Sequence, residues 1–559
     1  MADGGAPPKQ FFTRSGFPGG GLPGNILKKG GEDAIRTLSP LLGLTAAMAL
    51  AAMISAAIQH ARAQAADSCA ALAGTVLTGA RVESAEANTT GTVAGGRGAA
   101  LTAVPAFCRV RGLATPAPRS RIHFEAWLPL AGWNGRIQMI GNGGYSSSFS
   151  ANELAALVRQ GAAAVATDTG HDGAELDFGY GNDDAIADWG NRAVHESIVA
   201  AKALATRFYG RAPRYSYFAG CSTGGHQALM EAQRYPADFD GILAGDPGNN
   251  RTNLNFGFLW QFLANHEPGD NRNPILAAAD LALVNRAAMK QCDALDGVTD
   301  SVITDPRQCK FAPVQLRCTA GKTPECLSER QVRALEQMVA GARRRDTGAV
   351  IYPGWPVGSE APEGAGGWQT YWANPARTDE PQRVDYFRHW VFNDANWNWW
   401  SFDWGRGVDT ARVRMAPLVD AVSPDLSAFE RRGGRIIFYQ GWADPVVSAT
   451  DTIAYYERMS AATPRASGFS ALFLVPGMGH CTGGPGATDF ASGTDASGNI
   501  ALALQDWVEK GAKPSRIQAV HRPARQGGNS FSRPLCVWPA QAHYNNSGSV
   551  DDAANFTCR

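Results

Sequence analysis

The run Tyr215-Ser-Tyr-Phe-Ala-Gly-Cys-Ser-Thr-Gly-Gly-His226 constrains the fold more than any other stretch of the chain. Tyr215–Ala219 is β-prone, and the amphipathic segment His226–Arg234 is helix-prone and stops before Pro236. Gly220-Cys-Ser-Thr-Gly224 joins the two. A strand that turns sharply into a helix through Gly-x-Ser-x-Gly lifts the serine hydroxyl, here that of Ser222, out of the end of a sheet. The glycines flank it because so sharp a turn has no room for bulky Cβ substituents. The hydroxyl then stands at a helix N-terminus, where unpaired N–H groups and the positive dipole end favour a developing oxyanion. The bare pentapeptide also occurs as an ordinary glycine turn; the strand before it and the helix after it favour a nucleophile.

The 559 residues carry 51 basic and 51 acidic side chains, so charge gives no reason to propose nucleic acid or an anionic membrane as partner. The length allows one large domain with an insertion, or two domains. Residues 1 to about 37 are rich in Gly, Pro and basic residues and read as disordered. Leu41–Ile58 is an uncharged Ala/Leu/Met-rich run, preceded by Lys28, Lys29 and Arg36 and followed by Ala63-Gln-Ala65. Basic flank, apolar centre and a small-x-small site predict a secretory signal cleaved near Ala65. A membrane anchor is the alternative, since the run approaches spanning length. Residues 1–65 are therefore set apart, and the mature protein is expected to be secreted or periplasmic, with no membrane association after cleavage.

All ten cysteines lie beyond that site, an even count that in an exported protein reads as a disulfide framework. Pairing close in sequence suggests Cys69–Cys108, Cys292–Cys309, Cys318–Cys326 and Cys536–Cys558, leaving Cys221 and Cys481. Counting alone does not fix connectivity, and free thiols are the alternative. The two left over are informative: Cys221 precedes Ser222 and Cys481 follows His480. Ala471–Val475 reads as a buried strand with Pro476-Gly-Met-Gly-His480 leaving its end. Arg435–Gln440 reads as another, with Gly441-Trp-Ala-Asp-Pro445 leaving its end. Ser222, Asp444 and His480 thus each follow a strand, in the chain order of α/β-hydrolases. In a parallel sheet the strand C-termini share one edge, so the three can converge there. A Cys221–Cys481 bond would staple the serine turn to the histidine loop, worth about 5 kcal/mol in the chain-entropy model.

On Cys221-Ser222, Asp444 and His480-Cys481 the chain resembles the tannase and feruloyl esterase family of α/β-hydrolases, which includes mono(2-hydroxyethyl) terephthalate hydrolases. The likeness extends through Asp168-Thr-Gly-His171, Gln233-Arg-Tyr-Pro236 and Gly245-Asp-Pro247, and covers roughly Cys69 to the C-terminus. The resemblance implies that Cys221 and Cys481 bond, that the five cysteine pairs match the family's, and that Ser222, Asp444 and His480 form a triad. In that chemistry Ser222 attacks an ester carbonyl, His480 takes and returns the proton, and Asp444 holds the imidazole's tautomer. The oxyanion hole is expected to use the N–H of Thr223 and a second N–H from the loop after Arg136–Ile140, at Gly143 or Gly144. His171 is expected to be a structural loop residue.

The α/β alternation stops between residues 248 and 429, and nine of the fifteen tryptophans fall there. This predicts an α/β-hydrolase core, 66–247 and 430–559, carrying a lid at 248–429, the second core segment ending in a disulfide-stapled extension. Most of the nine tryptophans are expected to form the lid's own core. Within the lid, Asp293, Asp296 and Asp300 crowd one loop around Gly297, a clustering that a hard cation relieves. The family resemblance implies a structural calcium held by those three aspartates and the carbonyls of Val298 and Val302. No organic cofactor is implied. The expected activity is hydrolysis of a small aromatic-acid ester, free or attached to a polysaccharide or polyphenol. A feruloyl ester comes first, with a galloyl ester or a terephthalate monoester as alternatives, on which Val447 and lid arginines such as Arg388 bear. A non-catalytic polyphenol- or glycan-binding relative, and Cys221 as nucleophile, are the readings from other classes.

Overall fold

The structure is a computed structural model. It describes residues 53, 64–95, 100–173, 176–373, 379–523 and 529–559. The predicted signal run Leu41–Ile58 lies outside the described residues apart from Met53. Among the described residues, no helix is long and apolar enough to cross a membrane.

The first strands, β1 (Val76–Leu77), β2 (Ala80–Asn88), β3 (Phe107–Ala114) and β4 (Ile122–Pro129), pair antiparallel in sequence. There follow β5 (Arg136–Ile140), β6 (Ala163–Thr167), β7 (Tyr215–Cys221) and β8 (Gly241–Gly245). β9 (Ala342–Arg343) and β10 (Val350–Tyr352) form a small hairpin apart from the main sheet. The chain then returns with β11 (Arg435–Gly441) and β12 (Ser470–Val475). Ten strands make one sheet in the order β1-β2-β3-β4-β6-β5-β7-β8-β11-β12. From β6 to β12 every neighbouring pair is parallel.

Parallel strands covered on both faces need apolar residues throughout, and Ala163–Thr167, Gly241–Gly245 and Ile436–Gly441 are buried at every position. On one face, Phe218, Ile242 and Phe438 pack with helices Ala193–Tyr209, Thr223–Arg234 and Ala449–Ala462. On the other, Tyr217, Leu243, Ile437 and Tyr439 pack with helix Ile500–Lys510, where Trp507 points inward. This alternation places consecutive residues of one strand in different cores. The architecture is an α/β-hydrolase core.

The long segment between β8 and β11 is a lid with its own core. Trp355, Trp368, Trp372, Trp390, Trp399 and Trp404 are buried in it with Phe256, Phe258 and Phe262, and Trp260, Trp397 and Trp400 pack against it. All nine lid tryptophans therefore serve this cluster. Tyr145 and Trp189 from the hydrolase core belong to it as well, so the apolar interior runs unbroken from lid to sheet edge.

The C-terminal extension holds two antiparallel pairs, β13 (Arg516–His521) with β14 (Phe531–Cys536), and β15 (Ala542–Tyr544) with β16 (Phe556–Cys558). Val537 bridges to Phe473, and the Trp538 N–H bonds the Leu472 carbonyl at 2.8 Å. The extension thereby covers the edge at β12, which would otherwise be left unpaired.

All ten cysteines are paired: Cys69–Cys108, Cys221–Cys481, Cys292–Cys309, Cys318–Cys326 and Cys536–Cys558.

Candidate active site

β7 ends at Cys221 and helix Thr223–Arg234 begins two residues later, which leaves Ser222 alone to make the turn. It does so at φ 64°, ψ −116°. That backbone state typically costs a non-glycine residue about 1–3 kcal/mol and persists only where the surroundings enforce it. The enforcement is close packing. A Cβ on Gly220 would lie 2.6 Å from the Gly224 Cα, and one on Gly225 would lie 2.3 Å from the Gly245 carbonyl oxygen.

Two loops bring their side chains to this turn. After β11, the Asp444 carboxylate is fully buried and Oδ1 accepts the N–H groups of Val446 at 2.7 Å and Val447 at 3.0 Å. The loop after β12 supplies His480, whose Nδ1 donates to Asp444 Oδ2 at 2.7 Å. Nε2 is thereby left to accept from Ser222 Oγ at 2.8 Å. Burial alone would lower the His480 pKa; Asp444, with a smaller contribution from Asp246, outweighs it, and the pKa is raised. A serine, a base and an orienting carboxylate in one hydrogen-bonded chain can pass a proton from hydroxyl to imidazole and back. Cys221 is bonded to Cys481 at 2.01 Å beneath this chain, so no thiolate is present there to act as nucleophile.

The loop after β5 packs directly on the serine turn. The Gly141 N–H bonds the Ala219 carbonyl at 2.9 Å, and the Asn142 N–H bonds Gln227 Oε1 of the helix after Ser222 at 3.0 Å. Gly144 adopts φ +57°, and a Cβ on Gly143 would meet open space. Thr223 is buried, its hydroxyl accepting from Arg251 Nη2 at 3.0 Å.

His171 stands apart from this chemistry. Its ring hydrogen-bonds the Tyr145 carbonyl at 2.8 Å and stacks on Phe178, and burial lowers its pKa. Arg388 ion-pairs Glu380 and Asp385 beneath Trp399, which commits it to the lid. Val447 is buried in the lid-side cluster. Arg383, like Arg251 at the Thr223 hydroxyl, lies closer to the site than Arg388. Its guanidinium lies over the rings of Tyr145 and Phe258, is 3.9 Å from where a Gly144 Cβ would stand, and acts electrostatically on His480. Sequence reasoning also missed Arg251 and Asp246; the signal for Asp246, its place at a strand end beside the nucleophile's own, was in view.

In the lid loop, Asp293 accepts the N–H groups of Asp300, Ser301 and Val302 at 3.1, 3.0 and 3.3 Å. Asp296 accepts from the Val298 N–H and the Thr304 hydroxyl. Asp300 Oδ2 pairs with Arg533 at 2.6 Å, while its Oδ1 is buried without a partner. Burial, then the neighbouring Asp296 and Asp293, raise the Asp300 pKa against the pull of Arg533. An orphaned buried carboxylate oxygen beside two further carboxylates fits a hard cation. Among the described residues, the tight groups of His, Cys, Asp and Glu side chains are Cys221/Asp246/Cys481, whose cysteines are joined in a disulfide, Asp246/Asp444/His480 and His195/Glu231/Asp238; the three loop aspartates are more loosely set.

The sequence profile of "Tannase and feruloyl esterase" matches residues 108–559. The chain belongs to the tannase and feruloyl esterase family. It is 35% identical to an uncharacterised esterase of Xanthomonas campestris pv. campestris, over 93% of this chain and 95% of that one. It is 34% identical to the mono(2-hydroxyethyl) terephthalate hydrolase of Piscinibacter sakaiensis, over 82% of this chain and 86% of the other. The crystal structure of feruloyl esterase B from Aspergillus oryzae superimposes with a TM-score of 0.80 at 27% identity, covering 89% of this chain and all of that one. As a member of this family the protein is a carboxylic ester hydrolase.

Proposed function

We propose that this tannase-family hydrolase is a serine esterase acting on aromatic-acid esters through an acyl-enzyme, with Ser222 as nucleophile, His480 as general base and acid, and Asp444 as its orienting carboxylate. The observation that carries this is the unbroken chain from Ser222 Oγ through both nitrogens of His480 to Asp444. In acylation the Ser222 oxygen bonds the ester carbonyl carbon while its proton passes to Nε2. The imidazolium then protonates the departing alkoxide, and water repeats the sequence to release the acid. The oxyanion is received by the Thr223 N–H and by that of Gly143 or Gly144; removing one such donor typically costs about 3 kcal/mol of barrier. The packing of the Gly141–Gly144 loop on the serine turn supports that assignment.

The relatives named as feruloyl esterase B and mono(2-hydroxyethyl) terephthalate hydrolase support a planar aromatic acyl group. A feruloyl ester is the first reading. The second, a terephthalate monoester, is favoured by Arg383, because a free carboxylate on the far side of the ring calls for a guanidinium. Methyl ferulate, methyl gallate and mono(2-hydroxyethyl) terephthalate assayed side by side decide between them. Arg383→Ala should spare the first two substrates and raise KM for the third; equal losses on all three would sink the second reading.

Residues 66–247 and 430–559 serve as the hydrolase core and 248–429 as the lid. Calcium would be held by Asp293, Asp296, Asp300 and the carbonyls of Val298 and Val302, where it would neutralise the crowded carboxylates and brace the lid. The five disulfides support a secreted or periplasmic location.

A further inference from the structure

Asp246 follows β8 and has no part in the proton path, yet it touches every element that does. Its carboxylate is fully buried. Oδ1 accepts the N–H of Gly441, the last residue of β11, at 2.7 Å. Oδ2 accepts the N–H of Cys481, next to His480, at 2.7 Å and lies 3.4 Å from Cys221 Sγ, next to Ser222. Its own N–H bonds the Tyr439 carbonyl at 2.9 Å. The backbone is held at φ +36°, a region a non-glycine residue adopts only under constraint. Ligand-type atoms of Asp246, Asp444 and His480 all lie within 4.8 Å of one another. Two carboxylates therefore face one imidazole.

We infer that Asp246 is a positioning residue of the catalytic apparatus: its carboxyl group ties the His480 loop to the end of β11 and, once ionised, sets a second negative charge beside the imidazolium that forms during turnover. The inference rests on the triad reading and deepens it. The geometry is that of a brace, since one side chain spans two strand ends and the histidine loop. Burial, then the charge of Asp444, push the Asp246 carboxyl up to about 8, with His480 and the N–H groups of Gly441 and Cys481 opposing. Its ionisation then overlaps the range in which an esterase's imidazole must lose its proton. Among the described residues, the ionisable groups that face this cluster are Asp444 and His480, Tyr439 against Asp246, Tyr352 against Asp444, and Arg383 acting on His480.

The test is Asp246→Asn, assayed on an aryl ester over a range of pH. The amide keeps one acceptor, loses the other and carries no charge. Expected are a kcat about tenfold lower, KM within about twofold, and an acid limb of kcat/KM moved to lower pH by about half a unit, because the imidazolium has lost an anionic neighbour. A lower kcat or melting temperature with an unmoved limb overturns the inference, since a merely structural residue would give that result. The unsubstituted protein supplies a second measurement that does not depend on the variant folding. Its kcat/KM should rise through two coupled ionisations, and a single-proton limb overturns the inference. Ser222→Ala, run alongside, separates the two readings: activity surviving there would sink the triad itself, whereas an inactive Ser222→Ala with an unmoved Asp246→Asn limb sinks only the role of Asp246.

Discussion

The C-terminal edge of the parallel strands and the interior of the lid hold their key residues by different means. At the strand edge the main chain does the holding. Asp444 is fixed by the N–H groups of Val446 and Val447, Asp246 by those of Gly441 and Cys481, and Ser222 by a turn too tight for side chains around it. In the lid, rings hold rings. Trp390 is wedged against Tyr145, Phe178, Trp189 and Tyr386, with its indole N–H donated to the Leu176 carbonyl at 2.7 Å. On the function proposed above, the difference gives chemistry and selectivity separate supports in this molecule. Polar substitutions at the edge should change the rate, and ring substitutions in the lid should change stability and choice of ester; the disulfide beneath the site is the edge element that also carries stability.

The sharpest way to break that comparison is Ser222→Ala, expected to lower kcat by about 10⁵–10⁶-fold with no loss in melting temperature. Residual turnover near the wild-type rate would refute the division at its root. Next comes removal of the disulfide beneath the site. Cys221→Ala with Cys481→Ala opens a closure of 260 residues and should cost about 5 kcal/mol in denaturant unfolding. The lid pair Cys318–Cys326, separated by 8, should cost only about 2 kcal/mol. Equal losses would show that loop length is not what separates them. Trp390→Ala should cost about 3–5 kcal/mol of stability while leaving kcat within severalfold, and a collapse of kcat without a stability change would erase the boundary between the two regions.

The smallest effect concerns the aspartate loop. Asp300 has a folded-state pKa above its ordinary value, so the stability it contributes is full below the ordinary carboxylate range and is lost as pH rises through the folded value. With chelator present, the melting temperature should therefore fall over that window. Added calcium should flatten the decline and leave kcat unchanged. A chelator-independent curve, or a chelator that slows turnover at constant stability, would contradict the structural role.

How far the sequence could be read follows the same division. Ser222, Asp444 and His480 each sit just beyond a strand whose apolar run is continuous, so a local pattern betrays each of them. Cys221 and Cys481 were marked by adjacency to two of the three. Asp246 also ends a strand, and Gly245-Asp-Pro247 stood out, but its meaning lies in contacts with residues 195 and 235 positions away. No periodicity reports such a distance. The lid arginines show the limit most plainly. Arg388 looked available and is spent on Glu380 and Asp385, while Arg383, five residues earlier, is the one whose charge is felt at His480. Which of two arginines turns toward a site is decided by the packing of a whole insertion. The tail could be recognised as a stapled element, but its use could not, because the edge it covers is formed by a different part of the chain.

That covering has a consequence for how the protein is made. Arg533 and Gln541 reach the lid at Asp300 and Asp305, while Val537 and Trp538 seal β12. Both partners are synthesised before the segment that clasps them. A nascent polypeptide halted short of it exposes an open strand, a template for pairing with a second copy, and leaves a buried-type carboxylate without its arginine. Folding thus closes late, with the docking of the final hairpins onto strand and lid.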